Sequence, residues 1–180
     1  MLLINFLLVY WTFLSVRASV VFEDCGSAYD LEAVNIEGCG MRPPCFVTLG
    51  DDIAVSVKFS ADFVSFNLDQ DVVLNINFIN SQARVTPEPC ETVDCPVRTN
   101  ALTSFTSIMS VPTRIALNQR GYLRWRVYNE QRRLVLCYSV LVQTQSQLQK
   151  ILRKNLLQSD NNFSKEDILL NQQSVNITTV

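Results

Sequence analysis

The sequence predicts an all-β domain that folds as a two-sheet β-sandwich carrying three disulfides. Several segments alternate apolar and polar residues with a period of two, which places successive strand side chains on opposite faces. Short clusters rich in Gly, Pro, Asn and Asp separate these segments, so we expect about six to eight short antiparallel strands. Six cysteines follow an apolar leader, which indicates folding in an oxidising compartment.

Residues 1–18 are typical of a secretory signal peptide. The stretch from Leu2 to Leu14 is nearly all apolar, and Val16 and Ala18 are the small residues expected before a cleavage site after Ala18. A membrane anchor is the alternative, but a span usually needs about 20 apolar residues. We therefore expect a secreted, extracellular protein, with delivery to the lysosomal lumen left open.

All the cysteines lie beyond this leader: Cys25, Cys39, Cys45, Cys90, Cys95 and Cys137. Six cysteines allow 15 pairings, which spacing can rank but not prove. Cys39 with Cys45, and Cys90 with Cys95, can each close a short loop rich in turn residues. Cys25 and Cys137 would then bridge the first strand and the last. A zinc site is the alternative, but the chain has no His and no CxxC motif.

Four segments show the strand alternation most clearly. They run from Ile53 to Phe59, from Val72 to Phe78, from Leu123 to Val127 and from Leu134 to Val142. This pattern is typical of antiparallel strands with one face on a core. The inward strand residues that we expect are Val55, Val57, Phe59, Leu74, Ile76, Phe78, Phe105, Ile108, Val111, Trp125, Val127, Tyr138 and Val140.

The composition changes after Val142, so we expect the sandwich to occupy residues 19–143. Residues 144–180 are interpreted as a polar tail, partly helical or disordered. Two glycosylation sequons, at Asn162 and Asn176, favour exposure of this tail. The helical signal in it comes from apolar residues at helical spacing: Leu148, Ile151, Leu152 and Leu156.

Charge and residue types exclude several classes of function. The 15 Lys and Arg residues against 17 Asp and Glu give a net charge of −2, whereas nucleic-acid binding favours a strongly basic domain. Without His, no Ser-His-Asp or Cys-His arrangement exists, and the cysteines are assigned to disulfides. We therefore expect no enzyme activity, no cofactor, no metal and no nucleic-acid partner.

The cysteines sit in sequence surroundings that resemble a known family. Phe22 to Ser27 reads FEDCGS, Pro87 to Cys90 reads PEPC, and Cys95 is followed by Pro96. Trp125 lies twelve residues before Cys137, and Tyr138 follows that cysteine. Over about residues 21–143, the chain resembles the ML lipid-recognition domain family, which includes soluble Niemann-Pick type C cholesterol carriers and group 2 mite allergens.

The resemblance implies an immunoglobulin-like β-sandwich with an internal apolar cavity that holds a sterol, a fatty acid or a similar lipid. It also implies the disulfides Cys25–Cys137, Cys39–Cys45 and Cys90–Cys95. Arg84 falls near the place where relatives have an aromatic residue at the cavity mouth. A carboxylate or another anionic head group is therefore an alternative to cholesterol at this rim.

A lipid site needs a concave apolar wall and few polar groups. The alternative for every inward residue is simple core packing. The ligand-binding residues that we select are Val57, Phe59, Leu74, Ile76, Phe105, Val111, Pro112, Trp125 and Tyr138.

Two functions remain open. The first is a monomeric, secreted lipid-binding and transfer protein that contacts a membrane or a receptor to deliver its ligand. The second is an extracellular interaction module that engages a receptor in recognition or immunity. Arginines around one predicted hairpin form either a solvated outer face or a surface for anionic lipid or a receptor: Arg120, Arg124, Arg126, Arg132 and Arg133.

Overall fold

The structure is a computed structural model, and it describes residues 19–156 of the 180-residue chain. The signal peptide predicted at residues 1–18 lies outside the described residues, as do the sequons at Asn162 and Asn176. The chain divides into two compact units, Met1–Thr144 and Gln145–Val180. Within the described part of the second unit, residues 147–156 are helical.

Between residues 19 and 145, the described chain forms nine strands and one short helix. The strands are β1 (Glu23–Asp24), β2 (Asp30–Ile36), β3 (Cys45–Thr48), β4 (Asp52–Ser60), β5 (Leu68–Ile76), β6 (Ile79–Thr86), β7 (Leu102–Ser110), β8 (Arg120–Asn129) and β9 (Leu134–Gln145), with helix α1 (Pro89–Thr92) between β6 and β7. The number of strands exceeds the expected six to eight because two of them, β1 and β3, are only two and four residues long. Such short pieces cannot display an alternating pattern.

The strands form two antiparallel layers that share β6. One layer has the order β1-β9-β8-β5-β6 and the other has the order β6-β7-β4-β2, while β3 pairs with β9. Strand β6 pairs with β5 up to Ala83 and with β7 from Arg84 onward. The chain thus passes from one sheet to the other along a single strand. The predicted all-β, two-sheet sandwich is confirmed.

The interior between the sheets is built from the alternating apolar positions. In β4, Ile53, Val55, Val57 and Phe59 are at most 7% exposed, while Lys58 faces solvent. In β8, Leu123, Trp125 and Val127 are fully buried between exposed or half-buried neighbours. Of the thirteen predicted inward residues, all except Phe78 and Ile108 are buried.

Phe78 and Ile108 do not face the interior, so both predictions are wrong. Strand β5 ends at Ile76, and Asn77 and Phe78 adopt positive φ in the turn to β6, which leaves Phe78 98% exposed. In β7 the inward residues are Phe105, Ser107 and Met109, so Ile108 points outward at 44% exposed. The alternation of β7 places Ser107 inward, where its hydroxyl is hydrogen-bonded to the Pro87 carbonyl and to the Gln70 side chain.

Three disulfides join the strands and loops. The bonded pairs are Cys25–Cys137, Cys39–Cys45 and Cys90–Cys95, separated by 112, 6 and 5 residues in sequence. This is the pairing that the family resemblance implies. The first bond ties the end of β1 to β9, where the Cys25 N–H also donates to the Cys137 carbonyl at 3.0 Å.

Candidate functional site

The residues predicted to line a ligand site come together between the two sheets. Val57 and Phe59 project from β4 and Phe105 from β7, while Leu74, Trp125 and Tyr138 project from the opposite sheet. Eight of the nine predicted residues are at most 3% exposed, and the ninth, Pro112, is half-buried after β7. The result is an enclosed apolar layer, which is where the resemblance places the cavity.

Aromatic rings form two groups within this layer. On one side, Tyr29 stacks on Phe59 with ring centroids 5.7 Å apart, and Phe59 meets the edge of Phe105 at 6.2 Å. On the other side, Trp125 and Tyr138 stack at 6.0 Å with 12° between the ring planes. Rings packed in these geometries add to the apolar burial that each side chain already provides.

Several interior residues were not selected from the sequence. Tyr29, Leu68, Met109 and Leu123 are each at most 2% exposed in the same core. The burial of Leu123 could have been predicted from the sequence, because Leu123 shares one face of a strand with Trp125 and Val127. No sequence pattern predicts the burial of Tyr29, since that burial depends on contacts with Phe59 and with distant loop residues.

Most polar groups in the interior are hydrogen-bonded. The Tyr29 hydroxyl donates to the Phe63 carbonyl at 2.9 Å and also bonds the Ser65 hydroxyl. The Ser107 hydroxyl donates to the Pro87 carbonyl at 2.8 Å and accepts from the Gln70 side-chain amide at 3.0 Å. These bonds remove the cost of burying the polar atoms.

Two interior donors differ from this pattern. Within residues 19–156, Trp125 Nε1 and Tyr138 Oη are buried and have no hydrogen-bond partner. Both side chains are 0% exposed. Burial raises the pKa of the Tyr138 hydroxyl well above its ordinary value, so the group stays protonated at neutral pH.

Two grooves on the outer surface include none of the nine predicted residues. One groove of about 340 Å³ lies on the outer face of β5, β6 and β8. It is lined by Val73, Asn75, Asn80, Tyr122, Arg124 and Arg126. A second, of about 570 Å³, lies beside α1 and the start of β7, along the Cys95 loop. The predicted ligand residues therefore line neither of these two grooves.

The arginines predicted around one hairpin do not share a single environment. Arg126 pairs with Asp71 across β5 and β8. The Arg133 guanidinium lies 4.4 Å from the centre of the Phe63 ring. Arg120 begins β8, whereas Arg132 and Arg133 follow its other end, which for a ten-residue strand means a separation of roughly 30 Å.

Arg84 is exposed on β6, opposite Ser110 of β7 in the strand register. It lies at the point where β6 leaves one sheet for the other. Nothing in residues 19–156 forms a cluster of three or more His, Cys, Asp or Glu side chains able to hold a metal ion. No helix within that range combines the length and hydropathy needed to cross a membrane.

Comparisons with known proteins agree with this architecture. The sequence profile of the ML domain family matches residues 19–144. The fold is similar to the crystal structure of a Niemann-Pick type C2 protein from the Japanese carpenter ant, with a TM-score of 0.61 and 20% sequence identity. That likeness covers 69% of this chain and 99% of the ant protein. A search of curated protein sequences finds no significant match. Because the family profile spans most of the chain, the protein belongs to the ML domain family, whose domain is lipid-binding and non-enzymatic.

Proposed function

We propose that the chain is a secreted lipid-binding and transfer protein that holds one sterol, fatty acid or similar hydrophobic ligand between its two sheets. The observation that carries the proposal is the interior of an ML domain whose facing walls are almost wholly apolar. Eight of the nine selected residues lie in this layer at most 3% exposed. The disulfides and the predicted signal peptide support an extracellular or lysosomal destination.

An apolar interior of this kind can supply the affinity for a lipid. Removing about 300 Å² of ligand apolar surface from water would contribute roughly 7–8 kcal/mol at the usual 25 cal/mol per Å². The lost freedom of the ligand subtracts from this gross term. Since Leu74, Trp125 and Tyr138 are fully buried, a ligand between the sheets must displace part of their packing. Binding therefore requires the side chains on the facing apolar surfaces of the two sheets to move apart.

Delivery of the ligand requires contact with a membrane or a protein acceptor. The turn between β5 and β6 supports the first of these, because it presents two large apolar side chains to solvent. Phe78 is 98% exposed and Ile79 is 65% exposed. Apolar side chains at a turn tip can enter the boundary between lipid head groups and acyl chains.

The test is to express the protein through a secretory pathway and to record native mass spectra. We expect a one-to-one lipid adduct, or one formed after incubation with a panel of sterols and fatty acids. Any lipid released by denaturation would then be identified. If neither co-purified lipid nor any member of the panel binds, the carrier function is wrong and the receptor-engaging module becomes the better proposal.

Two substitutions on neighbouring residues locate the ligand. Leu74 faces the interior, whereas Val73 lies on the outer face of the same strand. Leu74→Phe should reduce the adduct at least tenfold, because the larger ring occupies interior volume, and Val73→Phe should leave it unchanged. Thermal unfolding of both variants shows whether each remains folded. Equal adducts in the two variants would place the lipid outside the sandwich.

A further inference from the structure

Trp125 Nε1 and Tyr138 Oη stand out among the buried polar atoms that have no partner. In residues 19–156 five buried side-chain atoms lack a hydrogen bond, and the other three belong to Asn35, Gln70 and Arg126. Those three side chains are each partly exposed. Trp125 and Tyr138 are 0% exposed, so bulk water does not reach them. An unpaired donor in such a place is destabilising, because it has lost its hydrogen bonds to water and gained none in the protein.

The same interior shows that the fold can satisfy a buried tyrosine. Tyr29 is 2% exposed, yet its hydroxyl bonds the Phe63 carbonyl and the Ser65 hydroxyl. Ser107 is likewise 0% exposed and fully bonded. The unpaired state of Tyr138 is therefore specific to its position rather than general to this core.

The two donors share one part of one sheet. Trp125 of β8 lies directly opposite Tyr138 of β9 in the strand register, and their rings stack at 6.0 Å. Directly opposed residues in an antiparallel pair project from the same face, which here is the interior face. A ligand lying against this face of the sheet would contact both side chains.

The surroundings indicate which acceptor fits. The buried polar residues of the described chain are Thr48, Ser65, Ser107, Asn129, Ser139, Thr144 and Gln145, and none of them is charged. A carboxylate placed in this interior would have no cation to offset its lost hydration. A neutral hydroxyl, carbonyl or ester oxygen carries a much smaller cost and accepts the same hydrogen bonds.

We propose that Trp125 and Tyr138 are specificity-determining residues that donate hydrogen bonds to a neutral oxygen on the enclosed part of the ligand. The inference rests on the proposed function and narrows it. The preferred ligand is a hydrophobic molecule with an interior hydroxyl or carbonyl oxygen. Pure hydrocarbons are disfavoured, and a fatty acid binds with its carboxylate directed away from these two side chains.

The test compares a carbonyl ligand with a hydrocarbon of the same length. Affinities of 2-dodecanone, 6-dodecanone, dodecane and dodecanoate are measured by displacement of a fluorescent apolar dye from wild-type protein and from Tyr138→Phe. The variant keeps the ring and removes only the hydroxyl. We expect at least one ketone to lose roughly three- to tenfold in affinity, the range that one hydrogen bond supplies. Dodecane should change less than twofold.

Two further variants sharpen the comparison. Trp125→Phe should also weaken the ketone more than dodecane. Tyr29→Phe is the matched control, because its hydroxyl already bonds Phe63 and Ser65, and it should affect ketone and dodecane equally. Parallel changes for ketone and dodecane in both Tyr138→Phe and Trp125→Phe would overturn the inference while leaving lipid binding intact. If wild-type protein binds none of the four probes, the inference is wrong, whereas the proposed function is judged separately by binding of the sterol and fatty-acid panel.

Discussion

At the scale of single residues, Gly121 determines how closely β8 can lie against β5. It is paired with Ile76 in the register of these strands. A Cβ atom at this position would collide with the Asn75 carbonyl oxygen and lie 2.7 Å from Ile76 Cδ1. The carbonyl belongs to the backbone and cannot turn away. A side chain of any size at position 121 therefore forces the two strands apart.

Gly121→Ala should destabilise the protein by about 1–3 kcal/mol, the cost usual for overpacking. Chemical denaturation followed by tryptophan fluorescence measures this change. Gly40→Ala is the control, because a Cβ there has nothing within 4 Å and Gly40 has no positive φ. The control should change stability by less than 0.5 kcal/mol, in the ordinary range of a surface substitution. Equal losses of stability in the two variants would show that the strands accommodate the added Cβ without a clash against the Asn75 carbonyl.

The burial of Trp125 and Tyr138 could be predicted from the sequence, but their hydrogen bonding could not. Alternation along β8 and β9 places both rings inward, and this was confirmed. Whether a buried hydroxyl finds a partner depends on residues far away in the chain. Tyr29 finds Phe63 and Ser65, which lie 34 and 36 residues further on, and no local pattern indicates such contacts.

At the scale of elements, the alternation identified strands well and their ends poorly. Strand β4 matched its predicted faces throughout the segment from Ile53 to Phe59. The alternating pattern predicts that β5 continues to Phe78, whereas the strand ends at Ile76. Asn77 was the available signal, because Asn tolerates the positive φ that such a turn requires. In β7 the hydrophobicity of Ile108 predicts an inward side chain, and this is wrong. The neighbouring Ser107 faces inward instead, with its hydroxyl bonded to Pro87 and Gln70.

The β5–β6 turn also carries a prediction about transfer. Phe78→Ser combined with Ile79→Ser should slow lipid transfer to phospholipid vesicles by roughly tenfold or more. Burying one Phe side chain is worth about 1.5–3 kcal/mol, and this is lost from the membrane contact. Binding of lipid in solution should not change, because neither side chain is part of the core. Fluorescence dequenching on transfer from protein to vesicles provides the rate.

Phe66→Ser is the control for this double variant. Phe66 is 68% exposed in the connection between β4 and β5, so it matches Phe78 in type but lies at another place. Its replacement should leave the transfer rate within twofold of the wild type. An equal loss in both variants would mean that exposed apolar surface in general, rather than the β5–β6 turn, governs transfer. An unchanged rate in the double variant would favour a protein acceptor.

At the scale of the whole molecule, the order of the strands could not be predicted from the sequence. Alternation predicts that strands exist, but not that β6 serves both sheets or that β8 lies between β5 and β9. These arrangements follow from how the apolar faces of distant segments cover each other. The cysteines were the exception, because a bond between residues 25 and 137 implies contact across 112 positions.

That long-range disulfide should contribute more to stability than a local one. In the chain-entropy treatment, a cross-link stabilises by restricting the unfolded chain, and the gain grows with the length of the closed loop. The loop closed by Cys25 and Cys137 spans 112 residues, whereas Cys90 and Cys95 close one of 5. The expected contributions are about 5 and about 2 kcal/mol.

The double replacement Cys25→Ala with Cys137→Ala should therefore lower the free energy of unfolding by roughly 3 kcal/mol more than Cys90→Ala with Cys95→Ala. Urea denaturation of both variants without reductant measures the two losses, and the urea dependence reports the compactness of each unfolded chain. A larger slope is expected when the long loop is opened, because its unfolded chain expands further. Equal losses with equal slopes would show that the long bond acts instead through native contacts between β1 and β9, which the Cys25–Cys137 backbone hydrogen bond also joins.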